Sequence, residues 1–129
     1  MAVVLIVEDE TQIRMLAESI LQEAGYETRS AASIAESMAI IESDEQIDLL
    51  FADMTLIDQR EAGLELGQAA AKIRPGLPII YTTGRGITDG MIALFVQPYV
   101  FLAKPYTGKQ LLTAVSNSLP QPTPSPSPE

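Results

Sequence analysis

The chain has 129 residues, no cysteine, no histidine and a formal net charge of −9 at pH 7. This length fits one domain with its own core, and the composition excludes disulfides, thiolate or imidazole metal sites and histidine-based catalysis. The acidic charge argues against nucleic acid and anionic membranes as partners. We expect a soluble, cytoplasmic protein without a membrane span or signal peptide, because the first apolar run is only five residues long.

The first half of the chain alternates between short apolar runs and amphipathic segments. Residues 3–7 are continuously apolar and β-branched, which is typical of a strand buried on both faces. A helix is predicted next, because apolar residues repeat at the spacing of one helix face. They are Ile13, Leu16, Ala17, Ile20, Leu21 and Ala24. Gly25 suits the C-cap of that helix, residues 26–30 predict an edge strand, and Ser33 with Glu36 predicts a capping box that opens a second helix.

The second half continues the same alternation. Three further strands are predicted at 48–52, 78–82 and 99–103. Two helices separate them, one ending at Pro75 and a short one over 88–95. Thr107 opens a last helix, and Gln110 completes its capping box. Five strands alternating with five helices predict an α/β fold with a doubly wound, five-stranded parallel sheet.

The composition changes at Pro120. Residues 120–129 alternate proline with polar residues, which predicts an extended, disordered tail or a linker remnant. A polyproline ligand for a partner domain is the alternative. We therefore expect one folded domain over residues 1–119.

Polar residues follow four of the predicted strands at the point where each strand ends. They are Glu8 and Asp9, then Asp53, Thr83 and Lys104. Because the carboxyl ends of parallel strands meet at one edge of the sheet, where open α/β sheets bind ligands, we expect these side chains to share a pocket. Carboxylates, a hydroxyl and an ammonium group suit a magnesium ion and a phosphoryl group.

The three carboxylates carry two alternative interpretations each. Close carboxylates repel one another unless a cation compensates them, and Mg²⁺ is bound by one or two carboxylates together with phosphate oxygens. Alternatively, Glu8 and Asp9 only favour the start of the following helix. Asp53 can act as a nucleophile that forms an acyl phosphate, with Lys104 stabilising the phosphoryl charge, or it is a third metal ligand without a covalent role.

The hydroxyl and the lysine also leave alternatives open. Thr82 competes with Thr83, because strand alternation directs only one of them into the pocket. Lys104 either reaches the phosphoryl group as a point charge or is a surface lysine before a loop proline. Pro105 favours a tight turn directly after Lys104, and the Lys104–Pro105 bond can be cis in such a turn.

The ordered set Glu8-Asp9, Asp53, Thr83-Gly84 and Lys104-Pro105 resembles the receiver domain of response regulators in two-component signalling. The resemblance covers residues 2–119. It implies a flavodoxin-like (βα)5 fold of the CheY type, with strand order 2-1-3-4-5. The sequence departs from the family pattern at Ile57, where a proline is usual.

The resemblance also implies a role for each pocket residue. Asp53 would accept a phosphoryl group from a sensor histidine kinase or a histidine phosphotransfer protein, with Mg²⁺ as cofactor. Asp9 would coordinate the ion directly, together with Asp53, Glu8 would reach it through water, and the backbone carbonyl of Thr55 would complete the protein ligands.

The remaining implied roles concern switching. Thr83 and Lys104 would contact the phosphoryl group, and Phe101 would be the aromatic residue that turns inward when the threonine moves. The output surface would be the fourth helix, fifth strand and fifth helix, which would bind a downstream protein and which also suits a homodimer.

These implications make the chain a phosphorylated switch without an output domain and not an enzyme for external substrates. Two other functions remain as alternatives. One is a pseudo-receiver that binds partners without phosphorylation. The other is a Mg²⁺-dependent phosphatase with an aspartyl nucleophile, but such enzymes place the nucleophile after the first strand, and here Asp53 follows the third.

Overall fold

The computed structural model describes residues 2–53, 62–83 and 99–119. Its five strands are β1 (Val3–Val7), β2 (Glu27–Ala31), β3 (Leu49–Asp53), β4 (Ile79–Thr83) and β5 (Tyr99–Ala103). Its helices are α1 (Thr11–Glu23), α2 (Ile34–Ile41), α3 (Ala62–Ile73) and the C-terminal helix (Gly108–Ser118). The predicted helix over 88–95 and the predicted tail over 120–129 lie outside the described residues.

The strands form one parallel sheet in the order β2-β1-β3-β4-β5. This confirms the predicted doubly wound α/β fold and its strand order. Every residue of β1 and β3 is buried, as the continuous apolar runs predicted for central strands. β2 lies at the edge and is mostly half-buried, and its Arg29 forms ion pairs with Glu27 and Glu45, both at 2.9 Å.

Helices cover both faces of the sheet. On one face, α1 and the C-terminal helix bury a cluster that includes Ile6, Phe51 and Ile80. On the other face, α2 and α3 bury a cluster that includes Leu50 and Tyr81. Successive residues of each strand alternate between the two faces, so the sheet packs against helices on both sides. This packing fixes the position of the strand ends.

Two helix starts follow the predicted capping patterns. In the C-terminal helix, the Thr107 hydroxyl accepts from the Gln110 backbone N–H at 3.0 Å and the Gln110 side chain accepts from the Thr107 N–H at 2.8 Å, so the capping box is complete. In α2, the Ser33 hydroxyl accepts from the Glu36 N–H at 3.1 Å, but the Glu36 carboxylate accepts from Ala32 instead of Ser33. The second half of that predicted box is therefore displaced by one residue.

Two residues of the predicted apolar face of α1 are exposed, namely Leu16 and Ala24. Ala17 and Leu21 are buried, whereas Leu16 is 59% exposed and its neighbour Met15 is 57% exposed. The sheet therefore uses a narrower stripe of α1 than the sequence pattern offers. Within the described ranges no helix is long and apolar enough to cross a membrane.

A close approach between α3 and β4 fixes the depth at which α3 lies on the sheet. Gly67 faces the ring of Tyr81, which is fully buried. A Cβ atom added at Gly67 would lie 2.9 Å from Tyr81 Cζ and still closer to the hydroxyl oxygen. Only glycine fits between the helix and this ring.

We predict that Gly67→Ala destabilises the protein by about 1–3 kcal/mol, because overpacking of a filled core outweighs the better helix propensity of alanine. Adding Tyr81→Phe should recover part of the loss, since it removes the nearest atom. Urea unfolding of the wild type, both single variants and the double variant measures this coupling. A Gly67→Ala protein as stable as the wild type would show that the approach is not close.

Candidate functional site

Three carboxylates meet at the carboxyl edge of the sheet. Glu8 and Asp9 follow β1, and Asp53 is the last residue of β3. Each offers one oxygen atom, and these atoms all lie within 4.8 Å of one another. Glu8 is only 4% exposed and Asp53 only 2%, whereas Asp9 is half-buried. The sheet thus concentrates negative charge in a place with little water.

Lys104 lies between two of these carboxylates. Its residue directly follows β5, and its ammonium group donates to Glu8 Oε1 at 2.9 Å and to Asp53 Oδ2 at 3.0 Å. The side chain of Lys104 is 16% exposed. Three strands that are distant in sequence, β1, β3 and β5, therefore supply one compact set of charges.

Glu8 is held by its neighbours on both sides. Its backbone N–H donates to the Ala31 carbonyl at 3.1 Å, and its own carbonyl accepts from Arg14 Nη1 at 2.8 Å. Its second carboxylate oxygen accepts from the N–H of Glu10, the N-cap of α1, at 3.2 Å. Glu8 therefore serves the start of the helix with one oxygen and Lys104 with the other, so the two interpretations of its role are compatible.

The electrostatics of the pocket act most strongly on Glu8. Burial raises the pKa of Glu8 from 4.5 to about 7, and the charge of Asp53 adds to the rise, although Lys104 opposes it. For Lys104, burial favours a lower pKa, but the hydrogen bonds and charges of Glu8 and Asp53 together leave its pKa raised. The ammonium group is therefore charged at neutral pH, while Glu8 is only partly ionised.

Of the two candidate threonines, the structure describes the side chain of Thr82 and only the backbone of Thr83. Thr82 pairs in register with Asp53, is 2% exposed, and its Oγ1 has no hydrogen-bond partner among the described residues. Thr83 ends β4, but its side chain lies outside the described part of the chain, as does the Thr55 carbonyl. The choice of hydroxyl and the Thr55 ligand stay predictions.

Phe101 lies on β5 in register with Tyr81 of β4. It is half-buried and packs against the cluster beneath α2 and α3. It is therefore on the opposite face of the sheet from Ile80 and the C-terminal helix. Its predicted switching role is compatible with this half-buried position.

An apolar groove of about 440 Å³ opens beside the charged pocket. Sequence analysis did not find it, because it combines exposed apolar residues of α1 with the turn after β5. Its lining includes Ile13, Leu16, Lys104, Pro105 and Tyr106. The Lys104–Pro105 bond is cis. Tyr106 packs edge-on against Phe51, with ring centroids 5.9 Å apart, and burial followed by the charge of Glu8 raises the pKa of Tyr106.

The arrangement has a defined chemical capability. Carboxylate oxygens at this spacing suit a hard divalent cation such as Mg²⁺. The Lys104 ammonium group, which already contacts these carboxylates, can also bind an anionic group attached to one of them. The donor set therefore fits a metal ion and a phosphoryl group at once.

Comparison with known proteins agrees with this geometry. The family model for the response regulator receiver domain matches residues 4–116. The chain is 30% identical over 117 residues to the nitrogen assimilation regulatory protein NtrX of Azorhizobium caulinodans, covering 90% of this chain and 26% of that protein. It is also 30% identical over 120 residues to the DNA-binding transcriptional regulator NtrC of a Bradyrhizobium strain, covering 92% of this chain and 24% of that protein.

A solved structure is similar over most of its length. The response regulator receiver protein of Sinorhizobium medicae superposes with a TM-score of 0.81 and 28% identity, covering 90% of this chain and 92% of the other. By contrast, the chain spans about a quarter of the length of the curated relatives it matches. Both of those relatives are named as regulatory proteins, and the NtrC relative is named as DNA-binding.

We predict that the metal-free protein loses stability as the pH rises from about 5 to 8. Because the pKa of Glu8 is about 7 in the folded state and 4.5 as a free side chain, the folded state binds more protons in this range, and ionisation of Glu8 then costs at most about 3 kcal/mol. Glu8→Gln should remove most of this slope. Urea unfolding in EDTA at several pH values measures it.

The matched control is Glu23→Gln at the exposed end of α1. It should retain the pH dependence of the wild type. A Glu8→Gln protein whose stability falls with pH as steeply as that of the wild type would contradict the assignment to Glu8.

Proposed function

The chain belongs to the family of response regulator receiver domains, and on that premise we propose that it is a phosphorylation-driven switch whose phosphoacceptor is Asp53. The observation that carries the proposal is the buried Asp53 carboxylate, which accepts from Lys104 at 3.0 Å and lies within 4.8 Å of the carboxylates of Glu8 and Asp9. A nucleophile, a mobile cation and metal ligands are the parts that phosphoryl transfer requires.

Asp53 has the properties of the nucleophile. It ends a central strand that is buried on both faces, so its position is fixed. One carboxylate oxygen would form a bond to phosphorus while the bond from phosphorus to a donor histidine nitrogen breaks. The electron pair stays on that nitrogen, and the product is an acyl phosphate on Asp53.

Glu8, Asp9 and Asp53 would hold Mg²⁺, and the Thr55 carbonyl is the further ligand that we expect. A bound Mg²⁺ supplies positive charge to the phosphoryl oxygens. Lys104 would move from the carboxylates to a phosphoryl oxygen, because the added negative charge lies there. This movement of the Lys104 ammonium group would also weaken its contact with Glu8. Phosphorylation would therefore change the ion pairs at the ends of β1 and β3 at the same time.

We propose that this change reaches the surface through β4 and β5. Thr83 would bind the phosphoryl group, and Phe101 would turn into the space that the threonine leaves. The half-buried position of Phe101 beside Tyr81 supports this role. The affected surface would bind a downstream protein or a second copy of the chain. The net charge of −9 supports protein partners over nucleic acid for this domain. A cytoplasmic location stays a prediction.

The groove beside the pocket supports a protein as the phosphoryl donor. Leu16 is 59% exposed on a helix whose Ala17 and Leu21 are buried, and it lines the groove together with Pro105 and Tyr106. The groove shares Lys104 with the pocket, so a partner seated in it would lie next to Asp53. We propose that its occupant is an apolar helix face of the histidine kinase or phosphotransfer protein.

We predict that acetyl phosphate with Mg²⁺ adds one phosphoryl group to the wild type and none to Asp53→Asn. Intact-mass spectrometry measures the adduct, and EDTA should prevent it because the carboxylates then hold no metal. A wild type that takes up neither phosphoryl nor beryllofluoride under these conditions would instead favour the pseudo-receiver. A full adduct on Asp53→Asn would place the phosphoacceptor elsewhere.

We predict that Leu16→Ser slows phosphoryl transfer from a protein donor by about tenfold or more, since burial of a leucine at an interface contributes about 1.5–3 kcal/mol. Its rate with acetyl phosphate should be unchanged. The donor is the fastest one found in a panel of phosphorylated kinases and phosphotransfer proteins from the same organism.

The matched control for the groove is Met15→Ser. Met15 is equally exposed on α1 and is not among the groove residues described, so both rates should stay those of the wild type. Equal losses in the two variants would show that α1 as a whole, and not the groove, receives the donor. Transfer unaffected by Leu16→Ser would exclude the groove.

A further inference from the structure

Thr82 is a buried polar residue that the proposed function does not use. It is 2% exposed, and its Oγ1 finds no hydrogen-bond partner among the described residues. A buried hydroxyl without a partner lowers stability, and valine has nearly the same shape without that cost. Among the residues that the structure describes, the resting pocket therefore contains a buried hydroxyl that no neighbouring group satisfies.

The position of Thr82 indicates what that partner is. Thr82 pairs in register with Asp53 on β3 and with Leu102 on β5. Strand alternation places it with Ile80 on the face covered by α1 and the C-terminal helix. Asp53 lies on the same face, because it is two residues beyond Phe51.

The pocket's other charged groups also lie on this face. Glu8 is two residues beyond Ile6, and Lys104 is two residues beyond Leu102, both of which contribute to the same cluster. Neighbouring strands are about 4.8 Å apart. The side chains of Thr82 and Asp53 are therefore neighbours on this face, and we expect a rotation of the Thr82 side chain to bring its hydroxyl to an Asp53 oxygen.

We propose that Thr82 is a further catalytic residue, whose hydroxyl donates to the Asp53 side chain during hydrolysis of the acyl phosphate. This inference rests on the proposed function. In the resting state, Lys104 donates to Asp53 Oδ2. After phosphorylation Lys104 follows the charge to the phosphoryl group, and the acyl oxygen of Asp53 loses that donor. The hydroxyl one strand away takes its place.

The hydrogen bond acts on the bond that breaks. A water oxygen forms a bond to phosphorus, the bond between phosphorus and the Asp53 oxygen breaks, and its electron pair stays on the carboxylate. Inorganic phosphate carries away the water oxygen, and the released proton goes to phosphate or solvent. Negative charge grows on the Asp53 carboxylate in this step, so a donor placed there stabilises the transition state more than the ground state.

The test measures the lifetime of the phosphoryl group in Thr82→Val and Thr82→Ser. Each protein is phosphorylated with acetyl phosphate and Mg²⁺, the donor is removed, and loss of the adduct is followed by intact-mass spectrometry. We expect Thr82→Val to lose its phosphoryl group on the order of tenfold more slowly than the wild type, as deletion of one such hydrogen bond predicts. Thr82→Ser, which retains a hydroxyl, should be close to the wild type.

Two further readouts separate this role from a structural one. Thr82→Val should be phosphorylated no more slowly than the wild type, because a donor on the attacking carboxylate only weakens the nucleophile. Its melting temperature should rise, because the buried hydroxyl without a partner is gone. A defect in packing would lower the melting temperature and slow both reactions.

The outcomes distinguish the role of the Thr82 hydroxyl from that of Asp53 as phosphoacceptor. A wild-type lifetime in Thr82→Val, or equal changes in the valine and serine variants, overturns the role of the hydroxyl but leaves Asp53 as phosphoacceptor. No adduct on the wild type overturns the proposed function and this inference with it. If Thr82→Val fails to fold, Thr82→Ala serves as the variant without a hydroxyl, with the same expected slow loss.

Discussion

The ion pairing of one ammonium group with two buried carboxylates is the interaction on which the rest of the site depends. The order of the parallel strands brings Glu8 and Asp53 together, and their mutual repulsion in a nearly dry pocket would oppose folding if no cation were present. Lys104 supplies that cation, at 2.9 and 3.0 Å from the two groups. Even so, the pKa of Glu8 stays near 7, so the compensation is incomplete. The pocket is thus a site that gains from an additional positive ion.

We propose that this incomplete compensation is the physical basis of the switch. A fully satisfied ion-pair network would hold the strand ends in one arrangement, and a new phosphoryl group would have to break it. Among the described residues, the carboxylates of Glu8 and Asp53 are joined by Lys104. The position of its ammonium group depends on where the negative charge lies. On the proposed function, charge added at Asp53 would redistribute contacts at the ends of β1, β3 and β5. The Thr82 hydroxyl, which has no hydrogen-bond partner among the described residues, lies on the same face, and we propose that it bonds to Asp53 after Lys104 has moved.

Much of the fold could be predicted because the local signals agree with the tertiary structure. The continuous apolar run at 3–7 predicted a buried strand, and the Thr107–Gln110 pair predicted the start of the last helix; both predictions are confirmed. The pocket followed from a single rule, that polar residues after parallel strands share one edge. What failed was the assignment of faces. Leu16 fits the helical repeat of α1 but is exposed. The repeat predicts which side of the helix faces the sheet, but it does not predict how many residues on that side the sheet covers.

The groove and the Gly67–Tyr81 contact could not be predicted for a related reason. Each joins segments that are distant in the sequence, and no local pattern marks Tyr106 or Gly67 as a neighbour of another element. The register that sets Thr82 beside Asp53 is likewise a tertiary fact. Sequence analysis left two adjacent threonines as candidates for the phosphoryl-binding hydroxyl, and that choice stays a prediction. Strand pairing adds that Thr82 lies on the same face of the sheet as Asp53.

The most direct test of the central claim is the location of the phosphoryl group in the phosphorylated chain. Reduction of the acyl phosphate with borohydride, followed by peptide mass mapping, marks the modified carboxylate. The account predicts that the mark lies on Asp53 and on no other acidic residue. A mark on Glu8 or Asp9, or a phosphoryl group that resists borohydride because it is on a hydroxyl, would contradict it.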